Sequence, residues 1–164
     1  APDDSAAAAL GAAATLNGRL AYVAYPIFRL YRATGQPLYR TLVRGLIDRM
    51  LGDPIVITDL PTSGRASLTR QEQRGRHVLH LLYGAPQIRG KALPNVDGTT
   101  RIMEMIEDIP SIGPLRVSLR LPAPPKRVYD ALTGRAMEWQ VNGKGRVEVA
   151  VSYLRIHTAI VFED

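Results

Sequence analysis

Apolar residues at Leu38, Leu42, Val43, Leu46, Ile47, Met50 and Leu51 recur at the 3.6-residue spacing of a helix and form one continuous stripe. Arg40, Arg44 and Arg49 fall elsewhere around the same helix. Pro37 sits near its start, and Gly52 and Pro54 stop it, as helix ends favour. Ahead of it, Asn17-Gly18 opens the short apolar run Arg19 to Ala24, which predicts a buried strand entered from a tight turn. Pro26 suits the first position of a short helical turn carrying Ile27, Phe28, Leu30 and Tyr31, closed by Gly35. A wide apolar stripe needs a sheet to lie on, and one strand cannot supply it. The stripe through Leu38, Leu42, Leu46 and Met50 is therefore expected to pack on a sheet built mostly by other sequence.

From Asp53 onward the pattern changes to short strands. Leu115, Val117, Leu119 and Leu121 alternate with Arg116, Ser118 and Arg120, the mark of a half-buried strand. Ile55–Ile57, Ala66–Arg70, Arg76–Tyr83, Met103–Glu107, Val128-Tyr129, Met137–Val141, Val147–Val151 and Leu154–Phe162 supply the other runs, with turn signals between them. Arg76–Tyr83 has the composition of a central strand. Eight or nine such strands predict an antiparallel β-sandwich. The stretch from Gly84 to Thr100 is longer than the usual connection, a length found in functional or disordered loops. The chain thus reads as α+β: residues 1–52 as the C-terminal end of an α/β domain, and residues 53–164 as a sandwich. Residues 1–17 are alanine-rich and fit a linker, a frayed start or a helix.

Composition narrows the chemistry. With 164 residues, 46% hydrophobic and 22% charged, the chain can bury a core. It has no Cys, which excludes disulfides, thiolate metal sites and a cysteine nucleophile. No apolar run is long enough to predict a membrane span, and the start lacks the basic opening of a signal peptide, so a soluble, cytoplasmic chain is expected. The net charge is +6. Only Lys91, Lys126 and Lys144 are lysines, and the arginines spread from Arg19 to Arg155 with their densest group at Arg65, Arg70, Arg74 and Arg76. That distribution, without a basic helix or an interleaved aromatic motif, favours arginine in protein contacts over nucleic-acid binding.

No set of residues spells out an active site. Glu104 and Asp108 would share one strand face with Glu107 on the other, a carboxylate pair on paper but one placed on a solvated face. Glu138 and Glu148 read the same way. His77 and His80 are three apart on a strand and point to opposite faces, and His157 is distant in sequence, so no metal site is expected. Ser63-Gly64 is not a nucleophile elbow, and Gly143-Lys144-Gly145 joins two strands as a hairpin turn rather than a phosphate loop. Trp139 shares its strand face with Met137 and Val141 and is expected in the core rather than exposed for sugar stacking. Catalytic, cofactor-binding and metal-binding residues are accordingly all expected to be none.

Residues 17–31 (Asn-Gly-Arg-Leu-Ala-Tyr-Val-Ala-Tyr-Pro-Ile-Phe-Arg-Leu-Tyr), Gly35–Arg40 and the helix to Leu51 resemble the closing strand and helix of the β-galactosidase trimerisation domain, found in glycoside hydrolases related to family 42. Arg76–Tyr83, Pro86, Arg89-Gly90, Ile106–Pro110, Leu115–Leu119 and Pro125–Tyr129 resemble the β-sandwich that follows it. The order of the blocks, from about residue 15 onward, carries the resemblance. It implies a flavodoxin- or glutaminase-like unit followed by the sandwich, with the two catalytic glutamates in a (β/α)8 barrel carried elsewhere. Glutaminase chemistry has no support, since Tyr25-Pro26 stands where a histidine would be.

The function this implies is a non-catalytic C-terminal portion or small subunit of a glycoside hydrolase. Its expected partners are the remainder of that enzyme, further copies in a homo-oligomer such as a trimer, and carbohydrate through the parent enzyme. The interface is placed at Arg29, Arg32, Arg40 and Arg44 with Leu38, Leu42 and Leu46. An independent carbohydrate-binding or adaptor sandwich is the alternative.

Overall fold

The structure, a computed structural model, describes residues 13–88, 90–102 and 104–164. Two compact units divide between Pro54 and Ile55. The first opens with an antiparallel hairpin, β1 (Ala14–Asn17) and β2 (Leu20–Val23), in register Asn17↔Leu20 across a turn with Gly18 at φ +57°. Helices α1 (Ile27–Thr34) and α2 (Pro37–Leu51) follow and pack on each other. Gly35 ends α1 in the left-handed conformation, donating its N–H to Tyr31 O; Gly52 donates to Asp48 O at the end of α2.

Two sequence expectations are corrected here. The expected strand over residues 19–24 is half of a two-stranded hairpin rather than one isolated strand, and Leu20 and Tyr22 are exposed instead of buried. Its partner β1 lies where the alanine-rich opening gave no strand signal; residues 1–12 of that opening lie outside the described residues. Along α2, Leu46 is buried, Leu42 and Met50 are half-buried, and Leu38 is 70% exposed. Ile47 and Leu51 are exposed as well, so the stripe is covered only around Leu46.

The second unit is a sandwich of two four-stranded antiparallel sheets. One has the order β12 (Trp139–Val141), β13 (Val147–Val151), β10 (Leu115–Leu119), β3 (Val56–Thr58); the other has β11 (Arg127–Asp130), β14 (His157–Glu163), β5 (Arg76–Leu82), β4 (Arg65–Gln71). Strict alternation puts Val117, Leu119, Val147, Val149 and Val151 on the inner face of one sheet and Leu79, Leu81, Ile160 and Phe162 on that of the other, and together they form the core. β5 is central, as its continuous apolar composition predicts. Trp139 is half-buried and packs against this core.

Two features of the sandwich left no sequence signal. Arg146 is 4% exposed; its Nε donates to Ser118 Oγ (2.9 Å), and its Nη2 donates to Ser118 O (2.9 Å) and Ile55 O (3.0 Å), tying β13 to β10 and the entry to β3. The Gly84–Thr100 stretch carries small ladders rather than plain loop: β6 (Gln87–Ile88) pairs with β9 (Glu104–Met105), and β7 (Leu93–Pro94) with β8 (Thr100–Arg101). The expected strand over 103–107 shrinks to Glu104–Met105 and joins neither main sheet; Met103 and Arg89 lie outside the described residues.

Asp130 organises one end of the sandwich. It accepts hydrogen bonds from the Thr158 hydroxyl and from the N–H groups of Leu132 (2.8 Å) and Thr133 (2.9 Å). Burial acts to raise its pKa, but these bonds together outweigh it and the carboxyl lies below its ordinary value. A depressed carboxylate stabilises the fold above its unfolded pKa of about 3.9, and that contribution disappears as pH falls through the folded value. Asp130→Asn is therefore expected to lose about 1–2 kcal/mol at pH 7. Thermal unfolding measured against pH should show the two proteins converging in acid, below about pH 4.

Candidate functional site

The first unit presents the candidate interface. α1 begins directly after Pro26, which fixes the chain for helical entry, and the glycine at its end turns the chain into α2. Ile27 and Leu46 are the buried apolar residues of this unit among those described, and the Tyr25 and Tyr39 rings lie 6.5 Å apart with their planes tilted by 60°. A groove of about 340 Å³ runs between the helices, lined by Phe28, Tyr31, Tyr39, Val43 and Ile47 together with Arg40 and Arg44. Phe28 is 73% exposed, an uncommon cost for a phenylalanine without a covering surface. Arg44 Nε lies 3.6 Å from Asp48 Oδ2 in an exposed i,i+4 pair, which contributes little to stability.

The structure brings Arg40 and Arg44 together with the exposed aromatics, while Arg29 and Arg32 stand exposed on α1, Arg32 in its last turn. Leu38 lies outside the groove lining, and Leu46 belongs to the packed interior of the unit. Among the described residues that line the groove there is no carboxylate, imidazole or thiol. Its aromatic area and planar guanidinium groups are of the kind enriched at protein interfaces.

Elsewhere, Glu138 and Glu148 line one shallow cleft beside Trp139, and Glu138 and Asp130 line another. The Glu104–Asp108 pair anticipated on one strand face is overturned, because β9 stops at Met105 and leaves Glu107 and Asp108 beyond the ladder. Glu148 accepts from Asn142 Nδ2 (2.7 Å) and Gln140 Nε2 (3.2 Å), which hold its carboxyl below the ordinary value and unsuited to donate a proton near neutrality. Glu163 is likewise lowered by hydrogen bonds from Arg127 and the Tyr129 hydroxyl.

The histidines hold the main surprise. His157 lies two residues from Ala159, the cross-strand partner of His80, so the two imidazoles share a sheet face, with Nδ1 of His80 3.1 Å from Nε2 of His157. Their ring planes differ by 8° and their centroids lie 5.3 Å apart, close to the N···N distance plus two ring radii. The rings are thus nearly coplanar and edge to edge, sharing one N–H···N hydrogen bond rather than stacking face to face. Register, not sequence distance, creates this pair. His77 is buried on the opposite face, its Nδ1 3.7 Å from Asp164 Oδ1. Among the described residues no group of three or more His, Asp or Glu is placed to hold a metal ion.

The described residues thus form two units, a hairpin with a helix pair and a two-sheet antiparallel sandwich. No family model and no curated protein sequence matches the chain. Among solved structures it is similar to the α-L-fucosidase isoenzyme 2 of Paenibacillus thiaminolyticus, at 30% identity and a TM-score of 0.80 over 93% of this chain. The chain spans 22% of the length of that fucosidase chain. This likeness relates it to a glycoside hydrolase and supports the β-sandwich.

Proposed function

We propose that the chain is a non-catalytic C-terminal portion of a glycoside hydrolase, serving oligomer assembly and the support of a (β/α)8 catalytic barrel carried elsewhere. In this reading residues 1–52 close a trimerisation-type α/β domain and residues 53–164 form the sandwich after it. The carrying observation is the fucosidase match, which takes in nearly all of this chain and about a fifth of its relative. The exposed Phe28 and the Arg40–Arg44 groove give the assembly role a surface. The neighbour makes α-L-fucosides the first substrates to offer the parent enzyme.

The test is made in the parent assembly. Arg40→Glu with Arg44→Glu should reduce its molar mass in sedimentation or light scattering, since two guanidinium contacts per groove become repulsive. Glu104→Gln and Glu107→Gln should leave kcat near the wild-type value, whereas loss of a true glycosidase carboxylate costs orders of magnitude. An unchanged mass in the arginine variant would remove the assembly role. Salt-sensitive binding of a labelled duplex by these arginines would reassign them to phosphate contact.

A further inference from the structure

At one end of the sandwich a cleft of about 430 Å³ opens between the turn after β11 and the segment Ser152–Ile156 that joins β13 to β14. Its lining includes Thr133, Arg135, Glu138, Tyr153, Arg155 and His157. We propose that this cleft is a binding subsite for a neutral saccharide, a role separate from assembly and lying wholly within the second unit.

The backbone that presents these groups is tightly held. Leu154, 1% exposed, anchors the middle of the segment in the core and exchanges both backbone hydrogen bonds with Ile112, at 2.7 and 3.0 Å. Ile156 has φ +64°, a left-handed conformation that a β-branched residue adopts only when its surroundings enforce it. Its carbonyl accepts the Tyr83 N–H (2.7 Å), and the neighbouring Arg155 carbonyl accepts the His157 N–H (2.8 Å). Between these fixed points Tyr153 is 69% exposed and Arg155 is exposed. Backbone strain that keeps an aromatic and a cationic side chain at the mouth of a cleft has the form of a preorganised binding loop.

The chemistry selects the ligand. Asp130 is consumed by Thr158, Leu132 and Thr133 and shapes the wall. No side chain among the described residues pairs with the Arg135 or Arg155 guanidinium or with the Glu138 carboxylate. The cleft therefore offers two strong donors, one strong acceptor and the imidazole of His157, whose Nε2 is engaged by His80, while the Thr133 hydroxyl is held in the turn by Asp130 Oδ1 and the Arg135 N–H. Sugar hydroxyls donate and accept at once and match such a mixed set, while the Tyr153 ring gives the C–H face of a pyranose an apolar platform. The two guanidinium charges of Arg135 and Arg155 are offset by the carboxylates of Asp130 and Glu138, so the cleft carries no net charge to favour a carboxylated or sulfated ligand over a neutral one. The volume is in the range of small-ligand sites.

Two-dimensional amide NMR of the full chain, titrated separately with L-fucose, D-galactose and D-glucuronate, tests this. The neutral sugars should give saturable shifts at Thr133, Arg135, Tyr153 and Arg155, with dissociation constants on the order of 1 mM. Tyr153→Ala and Arg155→Gln should each weaken binding about tenfold, the loss of one stacked ring or one charged hydrogen bond. Both side chains are exposed, so the fold should persist, and Arg135→Gln gives an independent check. The oligomer of the parent assembly should be unaffected by these variants, which separates this proposal from the assembly role. Absence of saturable shifts with both neutral sugars would overturn it. So would binding of glucuronate alone, displaced by inorganic sulfate, which would mark an anion site.

Discussion

Phe162→Ala is expected to destabilise the sandwich by about 3–5 kcal/mol, the usual cost of removing a fully buried phenylalanine. Phe162 has no exposed surface and is among the largest fully buried side chains of the described core. It lies on β14, between β5 and β11, opposite His77 and Val128, and faces the valines of the other sheet. Packed β-sheets relax little into a void, because each strand is held on both edges by its ladder, so most of the cavity should persist. Urea unfolding should show the loss as a lowered midpoint with an unchanged slope. Phe162→Leu, which fills most of the space, should cost clearly less. Leu132→Ala, at a position 62% exposed, should stay within about 0.5 kcal/mol.

How much of this was legible beforehand depends on whether a residue's partner is near in sequence or set by the fold. β10 announces itself, since Leu115, Val117 and Leu119 alternate with Arg116 and Ser118, and burial follows the same beat. α2 is equally plain from its spacing and its glycine stop. The β1–β2 hairpin was half legible: Asn17-Gly18 marks its turn, but β1 is only Ala14-Thr15-Leu16-Asn17, with one strongly apolar residue, too little to show a period of two. The ladders after Gly84 are only two residues deep, below the length at which alternation can be read.

The candidate sites divide in the same way. Arg40 and Arg44 could be placed on one helix because four residues make one turn, and the structure sets both in the groove. Their closeness to Phe28 and Tyr31 depends on how α1 turns into α2, which no local pattern fixes. The His80–His157 pair and the cleft around Tyr153 depend on strand register and on the connection between β13 and β14. One signal was available for the latter. Ser152-Tyr153-Leu154-Arg155-Ile156 contains no Gly, Pro, Asn or Asp between two strong strands, and the left-handed position falls on Ile156, so the turn there is enforced chiefly by tertiary contacts.

Gly113→Ala should reveal that enforcement from the other side, with an expected loss of about 3 kcal/mol or more. Gly113 sits at φ +146°, a region closed to residues with a side chain. A Cβ there would lie 2.5 Å from Ser152 O and 3.0 Å from Tyr153 Cα, both backbone atoms and unable to rotate aside. The adjacent Ile112–Leu154 pair binds the two segments in both directions, so neither can withdraw without breaking hydrogen bonds and exposing Leu154. Gly134→Ala is the matched control: its φ is +71° but its Cβ would meet open space, so only the conformational penalty of about 1–2 kcal/mol applies. Thermal unfolding of both variants separates collision from conformation. In the fraction of Gly113→Ala that still folds, the relief must come from displacing Ser152 and Tyr153. The amide shifts of Tyr153 and Arg155 should therefore move in this variant and stay in place in Gly134→Ala.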